Sequence, residues 1–78
     1  MITADVLKTL TTFTADALTV AIRSAGYKKD KFTTAKFVGM TNSLQFCYRC
    51  TYVEDEEVLE TKVFLDYDPT VGKVVADY

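Results

Sequence analysis

An α+β fold, one N-terminal helix packed on a four-stranded antiparallel meander sheet (α-β-β-β-β), is predicted by three features of this chain. The hydrophobic period changes once, near Gly26, from a helical repeat to strand alternation. The segments beyond that change are joined by short links, as hairpins require. Alternate residues of those segments converge on one shared apolar face.

The helix comes first. Between Ala4 and Ala25 the apolar residues Val6, Leu7, Leu10, Phe13, Ala17, Leu18, Ala21 and Ile22 recur at spacings of three and four. Asp5, Lys8, Thr9, Thr12, Asp16, Thr19 and Arg23 fall on the opposite arc. Thr3 is the expected N-cap, Ile2 is placed to staple onto Leu7, and Asp5 sits where the helix dipole favours an acid. Gly26 ends the helix, and Tyr27 is expected to fold back on Ile22 in a Schellman closure. Six threonines between Thr3 and Thr19 weaken the intrinsic propensity, so the helix depends on packing. Its two basic residues are too few for a membrane-surface helix, which favours a core-facing role.

Four strands are predicted next, Phe32 to Met40, Ser43 to Glu54, Glu57 to Asp66 and Lys73 to Asp77. Two-residue loops at Thr41-Asn42 and Asp55-Glu56, and the link Tyr67 to Gly72, make them a meander. The first loop places Phe37 opposite Phe46 and Ala35 opposite Tyr48. The second places Tyr52 opposite Leu59, Tyr48 opposite Val63 and Phe46 opposite Leu65. Pairing Tyr67 with Gly72 sets Asp66 opposite Lys73, Phe64 opposite Val75 and Lys62 opposite Asp77. All three registers share one inner face: Ala35, Phe37, Leu44, Phe46, Tyr48, Cys50, Tyr52, Leu59, Val63, Leu65, Val74 and Ala76.

The chain of 78 residues fits one small domain, residues 1–78, of a size that buries only about 60% of its unfolded surface. Hydrophobic residues make up 49% and aromatics 13%, too rich for disorder. The amino-terminal residues lack the basic and apolar regions of a signal peptide, and no apolar run is long enough to span a membrane, so a cytoplasmic location is expected. Cys47 and Cys50 stand three apart on a predicted strand and point to opposite faces, which prevents a shared metal or a mutual disulfide. The chain contains no histidine, so zinc loses its usual nitrogen ligand. No metal and no cofactor is expected.

Dimensions set a constraint. A helix of 22 residues spans about 33 Å, which matches the strands in length. It is only about 10 Å wide, whereas four strands need roughly 15 Å of cover. A sheet curling round one helix would solve this, and that arrangement resembles the cystatin-like architecture without carrying its inhibitory motif. Completion by another chain would solve it too.

The face turned away from the helix carries Lys36, Val38, Met40, Arg49, Glu60, Lys62, Phe64 and Val75, apolar groups among alternating charges. Such a mosaic suits either a solvated face or a reversible interface. Charge is unevenly spread. Through Arg49 there are seven basic and three acidic residues, and from Cys50 onward two and eight. The run Glu54-Asp55-Glu56-Glu57 occupies a hairpin tip. The cluster Lys28-Lys29-Asp30-Lys31 lies at the same end of a meander, so mutual neutralisation is expected there.

Without histidine, a usable cysteine pair or a glycine-rich phosphate loop, catalysis would rest on carboxylates and lysines alone, and no enzyme is expected. Nucleic-acid binding needs a basic stripe with exposed stacking aromatics, which this face lacks. The expectation is a small non-enzymatic protein-binding module, such as an inhibitor or adaptor of the kind viruses and mobile elements encode. Its partner would be another protein or a second copy, met through the open sheet face or the acidic tip. A single-stranded nucleic-acid binder is the alternative, and a structural homo-oligomer subunit the second.

Overall fold

The computed structural model describes residues 3–27, 31–68 and 70–77. Two helices, α1 (Ala4–Thr11) and α2 (Ala15–Ser24), stand where one was predicted. The apolar stripe runs unbroken across Thr12-Phe13-Thr14, but the backbone does not. Thr14 turns extended (φ −84°, ψ 166°), and its hydroxyl accepts the Ala17 N–H at 3.1 Å, capping a new helix. The Thr11 and Thr12 hydroxyls meanwhile donate to carbonyls one turn back, Leu7 at 3.0 Å and Lys8 at 2.7 Å.

The outer ends of the pair match expectation. Thr3 caps α1 by accepting the Val6 N–H at 3.2 Å. Past α2, Gly26 takes φ 98°, Tyr27 N–H donates to the Ile22 carbonyl at 3.2 Å, and Gly26 N–H donates to that of Arg23 at 3.1 Å. Those are the two bonds of a Schellman motif. The staple through Ile2 and the cluster members Lys28, Lys29 and Asp30 lie outside the described residues.

The sheet is an antiparallel meander in the order β1-β2-β3-β4, with β1 Phe32–Met40, β2 Phe46–Glu54, β3 Glu57–Asp68 and β4 Lys73–Asp77. The β2–β3 register is the predicted one, with Tyr52 opposite Leu59, Tyr48 opposite Val63 and Phe46 opposite Leu65. Its two-residue turn holds Asp55 and Glu56 at φ 50° and 65°, the geometry that matches strand twist. The other two hairpins are shifted by two residues. Ala35 faces Cys50 and Phe37 faces Tyr48, because β2 starts only at Phe46. Phe64 faces Asp77 and Asp66 faces Val75, because β3 runs on to Asp68. A shift of two keeps every side chain on its face, so the inner face survives the change.

Two residues of that assignment move. Leu44 leaves the inner face altogether: it sits in the β1–β2 loop at φ 63° and is 72% exposed. Met40 moves the other way. A bulge between Phe37 and Gly39 inserts Val38 as an extra residue, so Met40 pairs with inward-facing Phe46. Gly39, at φ 137°, supplies the conformation that this bulge uses.

The core gathers Leu10, Leu18, Ile22, Phe32, Phe46, Tyr48, Cys50, Val63, Leu65 and Ala76. Breaking the helix resolves the mismatch of width. α1 lies against the Met40 end of β1 and also reaches Tyr67 and Val74, while α2 runs from Phe32 on β1 to Ala76 on β4. Thr19, assigned by periodicity to the polar arc, is buried instead. Its hydroxyl donates to the Ala15 carbonyl at 2.8 Å and accepts the Phe32 N–H at 3.0 Å, tying α2 to the start of β1.

Candidate functional site

Tyr48 organises the inside of the molecule. Its phenol donates to the Leu10 carbonyl at 2.6 Å and accepts the Phe13 N–H at 2.9 Å, so one side chain of β2 satisfies one polar group on each side of the helix break. The ring stands edge-on to Phe37 at 5.4 Å and to Phe13 at 6.2 Å. Burial pushes its ionisation up, opposed by the bond from Phe13 and reinforced by the neighbouring Cys50. This is a structural hydroxyl, enclosed by its own core.

Both cysteines are free and buried, on opposite faces of β2 as expected. Cys47 pairs with Gly39 and Phe64 on the outer side, and Cys50 with Ala35 and Thr61 on the inner. Burial, with a smaller contribution from Cys47, pushes the Cys50 thiol up from 9.0 to about 11. It stays protonated at neutral pH, a poor nucleophile and a poor metal ligand. Among the described residues no group of three or more His, Cys, Asp or Glu is placed to hold a metal ion. No helix among them is long and apolar enough to cross a membrane.

The outer face tells more. With the observed registers, Lys36 lies directly opposite Arg49, and Arg49 directly opposite Lys62. Three cations therefore form one row across β1, β2 and β3. The predicted registers had put Lys36 beside Cys47 and had given Lys62 the acid Asp77. Both two-residue shifts act in the same sense, bringing a cation in and taking the acid away. Asp77 instead faces Phe64, and its Oδ1 accepts the Tyr27 hydroxyl at 2.6 Å. Glu60, one row along, approaches Arg49 at 3.4 Å, but both side chains are more than half exposed. Such a pair contributes less than about 1 kcal/mol. No ion pair among the described residues reaches Lys36 or Lys62.

Like charges directly opposite on a sheet cost rather than contribute, by several tenths of a kcal/mol to about 1 kcal/mol per pair. The row is bordered by Cys47, half-buried Phe64 and exposed Val38, with Val75 further along on β4. The structure thus brings together Lys36, Val38, Arg49, Glu60, Lys62 and Phe64 from the predicted outer face. Met40 is not among them. It lines an apolar groove of about 560 Å³ with Leu7, Lys8, Phe37 and Phe46, on the helix side of the sheet.

The acidic tip is separate. Glu54 and Glu57 face each other beyond the last pairing of β1 with β2, about 17 Å along the strand from Arg49. Lys31, the described member of the basic cluster, does not neutralise the tip but lies 3.3 Å from Asp16 of α2. Comparison of the chain with protein-family models, with curated proteins and with solved structures finds no match.

Proposed function

We propose that the chain is a non-enzymatic protein-binding module, an inhibitor or adaptor, whose contact is the open sheet face centred on Lys36, Arg49 and Lys62. The observation that carries this reading is the row itself: three adjacent cations, two with no ion-pair partner among the described residues, bordered by Phe64 and Val38. An acidic protein surface with an apolar spot would neutralise the row and cover that border. Phe64 is the aromatic on this face, whereas Phe37, Phe46, Tyr48 and Tyr52 pack against the core. A single-stranded nucleic acid would lack the successive stacking platforms it uses. A reducing, cytoplasmic setting suits the two free thiols.

The test compares the wild-type chain with the Lys36→Glu/Arg49→Glu/Lys62→Glu variant as baits for proteins from the source cell, and titrates both with mixed-sequence single-stranded DNA at low salt. Proteins retained by the first bait and lost from the second support the reading. Equal retention by both baits, or saturable binding of the DNA in place of any protein, overturns it.

A further inference from the structure

The free edge of β1 meets the apolar groove beside α1, and the two form one surface. Among the described residues β1 has a strand beside it only on its β2 side. Hydrogen-bond phase shows which groups face the other way. The two-residue turn closes on the hydrogen-bonded pair Glu54 and Glu57, so Tyr48, Cys50 and Tyr52 direct their backbone groups at β3. Arg49 and Thr51 direct theirs at β1, where they meet Lys36 and Thr34. The N–H and C=O groups of Ala35 and Phe37 therefore point away from the sheet. The edge is closed at its start, where the Phe32 N–H donates to the Thr19 hydroxyl at 3.0 Å. Register shifts between Phe32 and Thr34 and between Phe37 and Gly39 bracket the open stretch, so it has room for a short segment only.

We propose that this edge takes a short, extended, acidic segment of a partner protein, paired with Ala35 and Phe37, one apolar side chain in the groove and a carboxylate beside Lys36. The contact specifies how the acidic partner of the function proposed above is held, and so rests on that reading. Three observations select the occupant. A strand added here turns the side chain opposite Phe37 to the inner face, where the groove of about 560 Å³ between Leu7, Phe37, Met40 and Phe46 lies open. The next side chain turns to the outer face, beside Lys36. The charge at the groove has one sign: Lys8 lines it from α1, Lys36 stands across the same edge, and Asp5 lies on the other side of α1 with Val6 and Tyr67. No ion pair among the described residues uses Lys8 or Lys36. A lysine in the middle of an edge turns basic strands away and suits an acidic one. Lastly, an apolar small molecule would fill the groove but leave the backbone groups of Ala35 and Phe37 unanswered, which a peptide does not.

The probe is the end-blocked peptide Thr-Glu-Val-Glu-Ile-Glu-Thr, titrated into the full chain and followed by amide chemical shifts. A second peptide carries lysine for each glutamate. Saturable binding of the acidic peptide alone is expected, with the largest shifts at Ala35 and Phe37 and intermolecular NOEs from its apolar side chains to Leu7 and Met40. Leu7→Glu/Lys8→Glu should weaken binding about tenfold or more. Both changes fall in the early turns of α1, where the helix dipole favours acids, and neither removes a buried residue, so the fold should persist. Ala35→Pro removes an N–H that faces the gap and not β2, and should weaken binding by a similar factor. Lys62→Glu lies two strands away, across about 10 Å, and at about 0.15 M salt should change binding by less than about twofold. No saturable binding at millimolar peptide, equal binding of the lysine peptide, or undiminished binding by the Leu7→Glu/Lys8→Glu variant overturns the proposal. Shifts centred on Arg49 and Lys62, with Ala35 and Phe37 still, overturn it too, and leave the open face as the contact and the function above standing. Shifts at Ala35 and Phe37 that grow with the concentration of the chain alone overturn it in favour of a second copy.

Discussion

The two ends of the β2–β3 hairpin share one strand pair and one alternating pattern, yet they have opposite fates. Toward the helices, Phe46, Tyr48, Val63 and Leu65 are buried to 2% exposure or less beneath α1 and α2. Toward the turn, Tyr52 and Leu59 on the same inner face are only half-buried, and Val53 and Val58 on the outer face are 47% and 71% exposed. There, among the described residues, β1 no longer pairs with β2 and β4 does not reach β3. Alternation decides which face a side chain takes, and the neighbouring elements decide whether that face is dry. A two-stranded ribbon of this kind is marginal by itself, so its order is borrowed from the covered end. The covered end holds the stability, and the arm holds exposed charge and open backbone.

The largest effect expected from this contrast comes from one shortening on each side of it. Leu65→Ala should cost about 2–5 kcal/mol in urea or guanidinium unfolding, through lost burial and the cavity left behind. Leu59→Ala, on the same inner face but only half-buried beyond the helices, should cost about 1 kcal/mol or less. Comparable losses at the two positions would mean that the arm is packed in solution. A smaller loss should follow from Tyr48→Phe, which keeps the ring but leaves the Leu10 carbonyl and the Phe13 N–H without their partner. The buried Leu10 carbonyl costs about 1–3 kcal/mol when orphaned, whereas the part-buried Phe13 N–H can turn to water, and amide hydrogen exchange should report α1 and the Thr12–Thr14 break loosening before the sheet.

A third effect, on the order of 2 kcal/mol, should appear only in alkali. Cys50 ionises near 9.0 when unfolded and near 11 when folded, so between those values the unfolded chain binds fewer protons. Its contribution is complete below pH 9 and is lost as pH rises toward 11, and Tyr48 is shifted in the same direction. Denaturant midpoints measured at pH 8 and pH 11 should show this fall, and Cys50→Ala should flatten it. An equal fall in that variant would move the cause to other groups.

How far the fold could be read in advance depended on what each signal can resolve. The Asp55-Glu56 turn sets loop length and register together, and β2–β3 came out as expected. The other two registers were missed by two residues because a period-2 pattern is blind to a shift of two. That blindness hid the basic row, since Lys36 reaches Arg49 only with the later start of β2 at Phe46. Leu44 was misplaced because alternation continued through it, although it lies in a loop with positive φ. Met40 followed parity until the bulge at Val38 reversed it. The helix break did leave a trace: Thr14 with Asp16 in the following turn is a helix-start signal, overlooked because the apolar stripe crosses it.

By itself, the sequence determined the change of period at Gly26, the helix caps at Thr3 and Gly26, the meander order and the division of the strands into two faces. All of these are local, written in residues within a few positions of one another. Only the tertiary structure decided where the helix breaks, which cations share a row and which stretch of β3 stays bare. Each of those depends on a residue distant in the chain: the Tyr48 hydroxyl at the Leu10 and Phe13 backbone, Lys36 across from Arg49, and β4 ending opposite Phe64. Periodicity shows which way a side chain points, but not what it will meet.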